Sequence, residues 1–237
     1  MKVLNYGSLN VDYVYSVDHI IVGGETQHSS KLEVFSGGKG LNQSIALAKA
    51  GVPVYHAGIV GTDGDILLEA CKEAGVNTKY IRRLPVKGGH TMIQVDKNAQ
   101  NCIILYGGTN QMQTKEFVDE VLADFGEGDY LILQNEINML DYIIDQAYEK
   151  KMKIVMNPSP FDDKLSTCDL SKVYLFLVNE IEGEQITGCK DKDQILDAMA
   201  AKFPNARFVL TLGSDGAVYY DGKEKVFQDI FKSHGKK

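Results

Sequence analysis

Residues 35–51 read FSGGKGLNQSIALAKAG, a lysine set among glycines at the start of a helical pattern. Such a loop suggests a phosphate cradle. A P-loop, however, needs Ser or Thr directly after the Lys and a glycine further upstream. Here Gly40 follows Lys39, and no glycine stands at the required upstream position. The dinucleotide pattern GxGxxG fails as well, because Gly38 and Gly40 are followed by Gln43. The stretch opens a helix and is basic, yet it fits neither phosphate motif.

Other polar residues with chemical potential close apolar runs. GSLNVD puts Asn10 and Asp12 two apart, hence on one side of an extended segment. Gln134-Asn135-Glu136, Asn157-Pro158-Ser159-Pro160, Asn179-Glu180-Ile181-Glu182 and Thr211-Leu212-Gly213-Ser214-Asp215-Gly216 each end a further run. Any one of these reads equally as a helix cap or a turn. Five together favour a cleft, because ligands of an open parallel sheet bind beyond the carboxyl ends of its strands. A carboxylate beside amides suits a polyhydroxylated ligand: Asp accepts from neighbouring hydroxyls, while Asn donates and accepts.

The elements that must position these residues follow from periodicity. Apolar runs at 54–60, 130–134, 153–157, 174–178 and 207–211 alternate with helical patterns such as 63–75 and 138–150. Continuous apolar strands separated by helices predict an α/β fold with a parallel sheet covered on both faces. Gly51 and Gly75 each follow a helical pattern and precede a Val, which fits a left-handed helix end and no chemistry. Residues 11–35 and 90–107 break the alternation and read as β-rich, with a turn at 96–101; such strands can form a lid. Asp221-Gly222 between two strand-like runs predicts a hairpin, and DIFKSHGKK after it reads as a frayed end. The whole, 1–237, reads as a single domain with lid strands at about 11–35 and 90–107.

Composition narrows the function classes. The chain has 237 residues, net charge −7 and no basic block, which argues against nucleic acid or an anionic membrane as partner. Its opening lacks signal-peptide layout, and its apolar runs are too short to span a bilayer. Four scattered cysteines without a CxxC pair read as reduced thiols of a cytoplasmic protein. The five histidines have no metal-ligand spacing, so zinc is not expected.

The order of motifs resembles the ribokinase family of carbohydrate kinases, the PfkB group, most closely its ribokinase branch. Gly37, Gly38, Asn42, Gly51 and Gly61 fall at the spacing of the family's first signature. The GSLNVDYVY start is similar to its opening strand, and Gly24-Glu25-Thr26 to its GET turn, although the prolines usual before that turn are absent. Asn179 and Glu182 match its N-x-x-E motif, and TLGSDG at 211–216 its nucleotide-binding turn. The resemblance implies a three-layer sandwich with a mostly parallel central sheet and a small β lid. It implies a small sugar, ribose first, held by Asn10, Asp12, Gly38, Lys39, Gly40, Asn42 and Glu136. Helix-start N–H groups and Lys39 would donate to its oxygens. ATP would lie at Asn179, Thr211, Gly213, Ser214 and Gly216, with Glu182 helping to hold Mg²⁺ through water. The product would be a sugar phosphorylated on a primary hydroxyl, and the protein a homodimer joined through the lid.

One departure is large. The family's D-T-x-[GA]-A-G-D stretch, whose last Asp is the base and whose small residues form the anion hole, has no counterpart in 217–237. No catalytic residue is therefore assigned: the base is expected beyond residue 237, with the K⁺ loop and part of the adenine pocket. The expectation is a C-terminally truncated or frame-shifted kinase with little turnover of its own. The alternative is a non-catalytic sugar-binding or dimerisation protein derived from such a kinase.

Overall fold

The computed structural model describes residues 1–230, so the frayed end read for 229–237 lies almost wholly outside the described residues. The chain divides into two compact units, one of residues 2–121 with 136–139, the other of residue 1, 122–135 and 140 onward.

The first unit opens with β1 (Val3–Tyr6), β2 (Asn10–Ser16) and β3 (Lys31–Gly37), followed by α1 (Lys39–Lys49), β4 (Val54–Val60), α2 (Asp65–Ala74) and β5 (Asn77–Arg83). β6 (Gly89–Val95), β7 (Asn101–Tyr106) and α3 (Lys115–Leu122) complete it. β1, β4 and β5 run parallel in that order, as buried runs such as VYHAGIV dictate. Leu4, Tyr6, Leu41 and Leu67 are fully buried among them. β3, β2, β6 and β7 form a separate four-stranded sheet, with β2–β6 parallel and the outer pairs antiparallel. Asp96 Oδ1 accepts from Asn98 N and Gln100 N in the turn that joins β6 to β7.

Strand one differs from its sequence reading. Its regular part stops at Tyr6, Gly7-Ser8-Leu9 turns the chain, and Asn10 and Asp12 belong to β2 of the second sheet. Gly7 and Ser8 interrupt what the residue pattern presents as one extended run.

The second unit carries β8 (Tyr130–Gln134), α4 (Leu140–Glu149), β9 (Lys153–Asn157), β10 (Leu175–Asn179), α5 (Glu180–Thr187), α6 (Lys192–Lys202) and β11 (Arg207–Thr211). β8 to β11 pair in parallel, and the hairpin β12 (Ala217–Tyr220) and β13 (Lys225–Gln228) adds two antiparallel strands beyond β11. The hairpin turns at Gly222, φ +88°, a backbone that glycine adopts without strain. Phe176 and Phe208 stack at 5.9 Å on neighbouring strands, and Phe203 packs 4.8 Å from Phe176. Of the five polar strand ends, only Asn179 runs directly into an α-helix. Thr211 leads into a single 3₁₀ turn, and residues after Asn157 into a loop.

Candidate functional site

In the first unit, the turn after β1 and the start of α1 meet closely. A Cβ on Gly40 would stand 2.5 Å from Ser8 N and 2.6 Å from Gly7 C, so only glycine admits this approach. Gly38, at φ +95°, caps α1 without a side chain of its own. The cap comes from elsewhere: Glu136 Oε2 accepts from Lys39 N at 3.1 Å, and Ser8 Oγ accepts from Gly40 N at 3.2 Å. Leu41 N donates to Ser8 O at 3.0 Å. The expectation of free helix-start donors is thus corrected at residues 39–41, whose N–H groups are already committed to protein acceptors.

Glu136 gathers the site. Its Oε1 holds Lys39 Nζ at 2.8 Å, and its Oε2 also accepts from Ser8 Oγ. The Glu136 side chain is 7% exposed and that of Lys39 41%. One buried carboxylate therefore anchors both the loop and the lysine, leaving Lys39 reachable.

On β2, Asn10 and Asp12 share a face, as their spacing requires. Thr91, their neighbour on β6, donates from Oγ1 to Asp12 Oδ1 at 2.6 Å. Asp12 Oδ2 has no hydrogen-bond partner among the described residues. A Cβ on Gly37 would collide with this carboxylate, so glycine there leaves it room. Burial pushes the Asp12 pKa up; the Thr91 hydrogen bond opposes the shift, and the Glu136 charge adds to it. Asn10, 2% exposed, accepts at Oδ1 from Asn110 Nδ2 at 2.7 Å. Together these groups offer an acceptor, a donor and a cation within one small region, the set that vicinal hydroxyls require. Asn42 is exposed on α1 and its side chain makes no hydrogen bond to the others. Ser8, Thr91 and Asn110 escaped the sequence reading. Each is a common residue type whose role depends on a contact distant in sequence.

In the second unit, β10 and β11 align Asn179 directly with Thr211. Asn179 Oδ1 accepts from Glu182 N at 2.8 Å, and Glu182 Oε2 accepts from Asn179 N at 3.0 Å, a capping box on α5. The N-x-x-E pattern thus has a structural job. Glu182 Oε1 keeps no hydrogen-bond partner among the described residues. No group of three or more His, Cys, Asp or Glu side chains that could hold a metal occurs among the described residues. A single available carboxylate still fits Mg²⁺, which keeps most of its waters and takes its other ligands from phosphates. Beyond Thr211, Gly213 at φ +56° and Gly216 at φ +102° shape an exposed turn around Ser214, closed by Leu212 N donating to Gly216 O at 2.8 Å.

Comparison with known proteins meets this geometry. The model of the pfkB family carbohydrate kinases matches residues 1–234. The chain belongs to this family. Ribokinase of Haemophilus influenzae is 30% identical over 235 residues, covering 94% of this chain and 76% of the relative. Ribokinase of Staphylococcus aureus is 32% identical, covering 95% and 74%. The crystal structure of a Cryptococcus neoformans ribokinase in complex with ADP superposes with a TM-score of 0.81 at 28% identity, covering 99% of this chain and 80% of that one. The ribokinase-like α/β fold with its mostly parallel sheet is thereby established, and the chain is a carbohydrate kinase by family. The cysteines are free, and no helix among the described residues is long and apolar enough to cross a membrane.

Proposed function

We propose that this chain binds a small sugar, ribose first, through Asn10, Asp12, the Lys39 side chain, Asn42 and Glu136, with Gly38 and Gly40 shaping the loop that holds Lys39. The observation that carries the reading is the Glu136 carboxylate, which ties Lys39 and the α1 start together while Asp12 keeps one oxygen unengaged. Asp12 accepts from a sugar hydroxyl, and Lys39 and Asn10 donate to sugar oxygens. The absence of an aromatic residue from this set supports a sugar rather than a purine nucleoside. Two ribokinase relatives at about 30% identity support ribose.

ATP, the phosphoryl donor in this reading, lies at Asn179, Thr211, Gly213, Ser214 and Gly216, with the ADP-bound structure of the Cryptococcus relative as support. Mg²⁺, held through water by Glu182, would neutralise phosphate charge there. Phosphoryl transfer rests on positioning and charge stabilisation. Residues 1–237 contain no D-T-x-[GA]-A-G-D stretch, so no residue of this chain is assigned as the base. Loss of a general base alone costs on the order of a hundred- to ten-thousand-fold. The polypeptide 1–237 by itself therefore holds sugar with little turnover. Its ADP release with Mg²⁺-ATP, K⁺ and D-ribose should stay near background while ribose still binds. Turnover at an ordinary kinase rate would refute the assignment of no base, and absence of sugar binding would refute the pocket.

The lid reading extends to assembly. Val34, Met92, Ile104 and Tyr106 are exposed on the four-stranded sheet, an apolar surface that a monomer rarely leaves uncovered. This surface supports a homodimer joined through the sheet, and the free cysteines support a cytoplasmic location. Sedimentation should give a dimer that Ile104→Lys dissociates; a wild-type monomer at micromolar concentration would count against it.

A further inference from the structure

Asn110 is 1% exposed and lies in a 3₁₀ turn, Gly108–Gln111, outside every motif singled out in the sequence. Its orientation is fixed by a group that cannot change role. Leu9 N–H, a donor only, gives its hydrogen to Asn110 Oδ1 at 3.0 Å. The Nδ2 end must then face Asn10, and it can only donate. Asn10 in turn must present Oδ1, which accepts at 2.7 Å. A weaker contact to Leu9 O, at 3.4 Å, occupies the same Nδ2. The Asn10 Nδ2 group is what remains, and it has no hydrogen-bond partner among the described residues. Gly89 makes the meeting possible: a Cβ there would stand 2.5 Å from Asn10 Oδ1 and collide with Asn110 Nδ2.

We infer that Asn110 is a positioning residue that holds Asn10 as a pure donor toward the sugar. The inference rests on the sugar-binding reading above. With Asp12 Oδ2 on the same face as an acceptor, the pocket then reads two neighbouring sugar oxygens in opposite senses, one accepting from Asn10 and one donating to Asp12. An amide free to turn over would lose that distinction, and buried amide pairs discriminate because the wrong partner leaves a polar group unmatched.

The test is a double-mutant cycle on D-ribose affinity, measured by calorimetry beside thermal melting, with Asn10→Ala, Asn110→Ala and both together. Acting through Asn10, Asn110→Ala should weaken ribose binding about tenfold in the wild-type background and change nothing further once Asn10 is alanine. Asn110→Asp, which obliges the Asn10 amide to turn and donate to the new carboxylate, should weaken binding at least as much. An equal loss with and without Asn10, or no loss at all, would overturn the inference while leaving the sugar pocket standing. A wild-type chain that binds no sugar would remove the pocket itself and this inference with it. If the alanine variant does not fold, side-chain amide NMR of the wild type decides. Ribose should move the Asn10 NH₂ resonances and leave those of Asn110 in place, and the reverse pattern would overturn the assignment.

Discussion

Asp12 stands in a half-buried position with Thr91 as its hydrogen-bond donor and the like charge of Glu136 nearby, and its pKa is raised. A carboxyl whose folded-state pKa lies above its unfolded value contributes stability only while protonated, and that contribution is lost as pH rises through the folded pKa. At neutral pH the ionised Asp12 is thus a net cost to the fold, one that the proposed sugar contact explains. Asp12→Asn should therefore melt higher than wild type at pH 7, with the gain vanishing below about pH 4, while ribose affinity falls tenfold or more. A melting curve unchanged at both pH values would contradict the cause given for the shift. His56 behaves oppositely. It is fully buried on β4 with Ser44 Oγ 2.7 Å from its Nδ1, and burial pushes its pKa from 6.5 down to about 4. A lowered histidine pKa gives stability that is present above pH 6.5 and lost as pH falls toward 4. His56→Gln should flatten the melting-temperature profile across that window, and parallel profiles for the two proteins would refute the assignment.

Elements carry the next level of constraint, and the loop that began as a possible phosphate cradle finds its explanation there. Its glycines let α1 approach the Gly7-Ser8 backbone, and its N–H groups are capped by Glu136 and Ser8. Gly40→Ala must displace backbone atoms, so it should cost on the order of 2–4 kcal/mol in urea unfolding and abolish ribose binding. Gly126→Ala, where a Cβ meets nothing within 4 Å, should stay near wild type. Equal behaviour of the two variants would contradict the close approach. The elements themselves were legible where one local signal dominated. The apolar runs at 54–60, 130–134, 153–157 and 207–211 are strands with those bounds, because a strand buried on both faces needs no partner information to be seen. Gly75, at φ +79°, ends α2 as its place after the helical pattern implied. β5, NTKYIRR, gave no such signal: as the edge of its parallel set it mixes charged and apolar residues. The break between β1 and β2 was hidden because the strand-like residues on both sides of Gly7-Ser8 read as one extended run.

At the scale of the whole molecule, family membership spans residues 1–234, and the chain divides into two compact units. The residues proposed to hold sugar belong to the first unit, Glu136 included, although it comes from the short segment 136–139 that lies between stretches of the second. The N-x-x-E and TLGSDG motifs belong to the second unit. Spacing along the chain revealed the residues whose types are unusual where they stand, such as Lys39 among glycines. It could not reveal Ser8, Thr91 or Asn110, whose importance comes from being brought against Glu136, Asp12 and Asn10 across 128, 79 and 100 positions of sequence. The central claim is that Asp12 and its neighbours form a sugar pocket. Calorimetric titration of D-ribose into residues 1–237, wild type against Asp12→Ala, tests it most directly. Saturable binding that Asp12→Ala removes is the predicted result; no binding by the wild type, or equal binding by both, would contradict it.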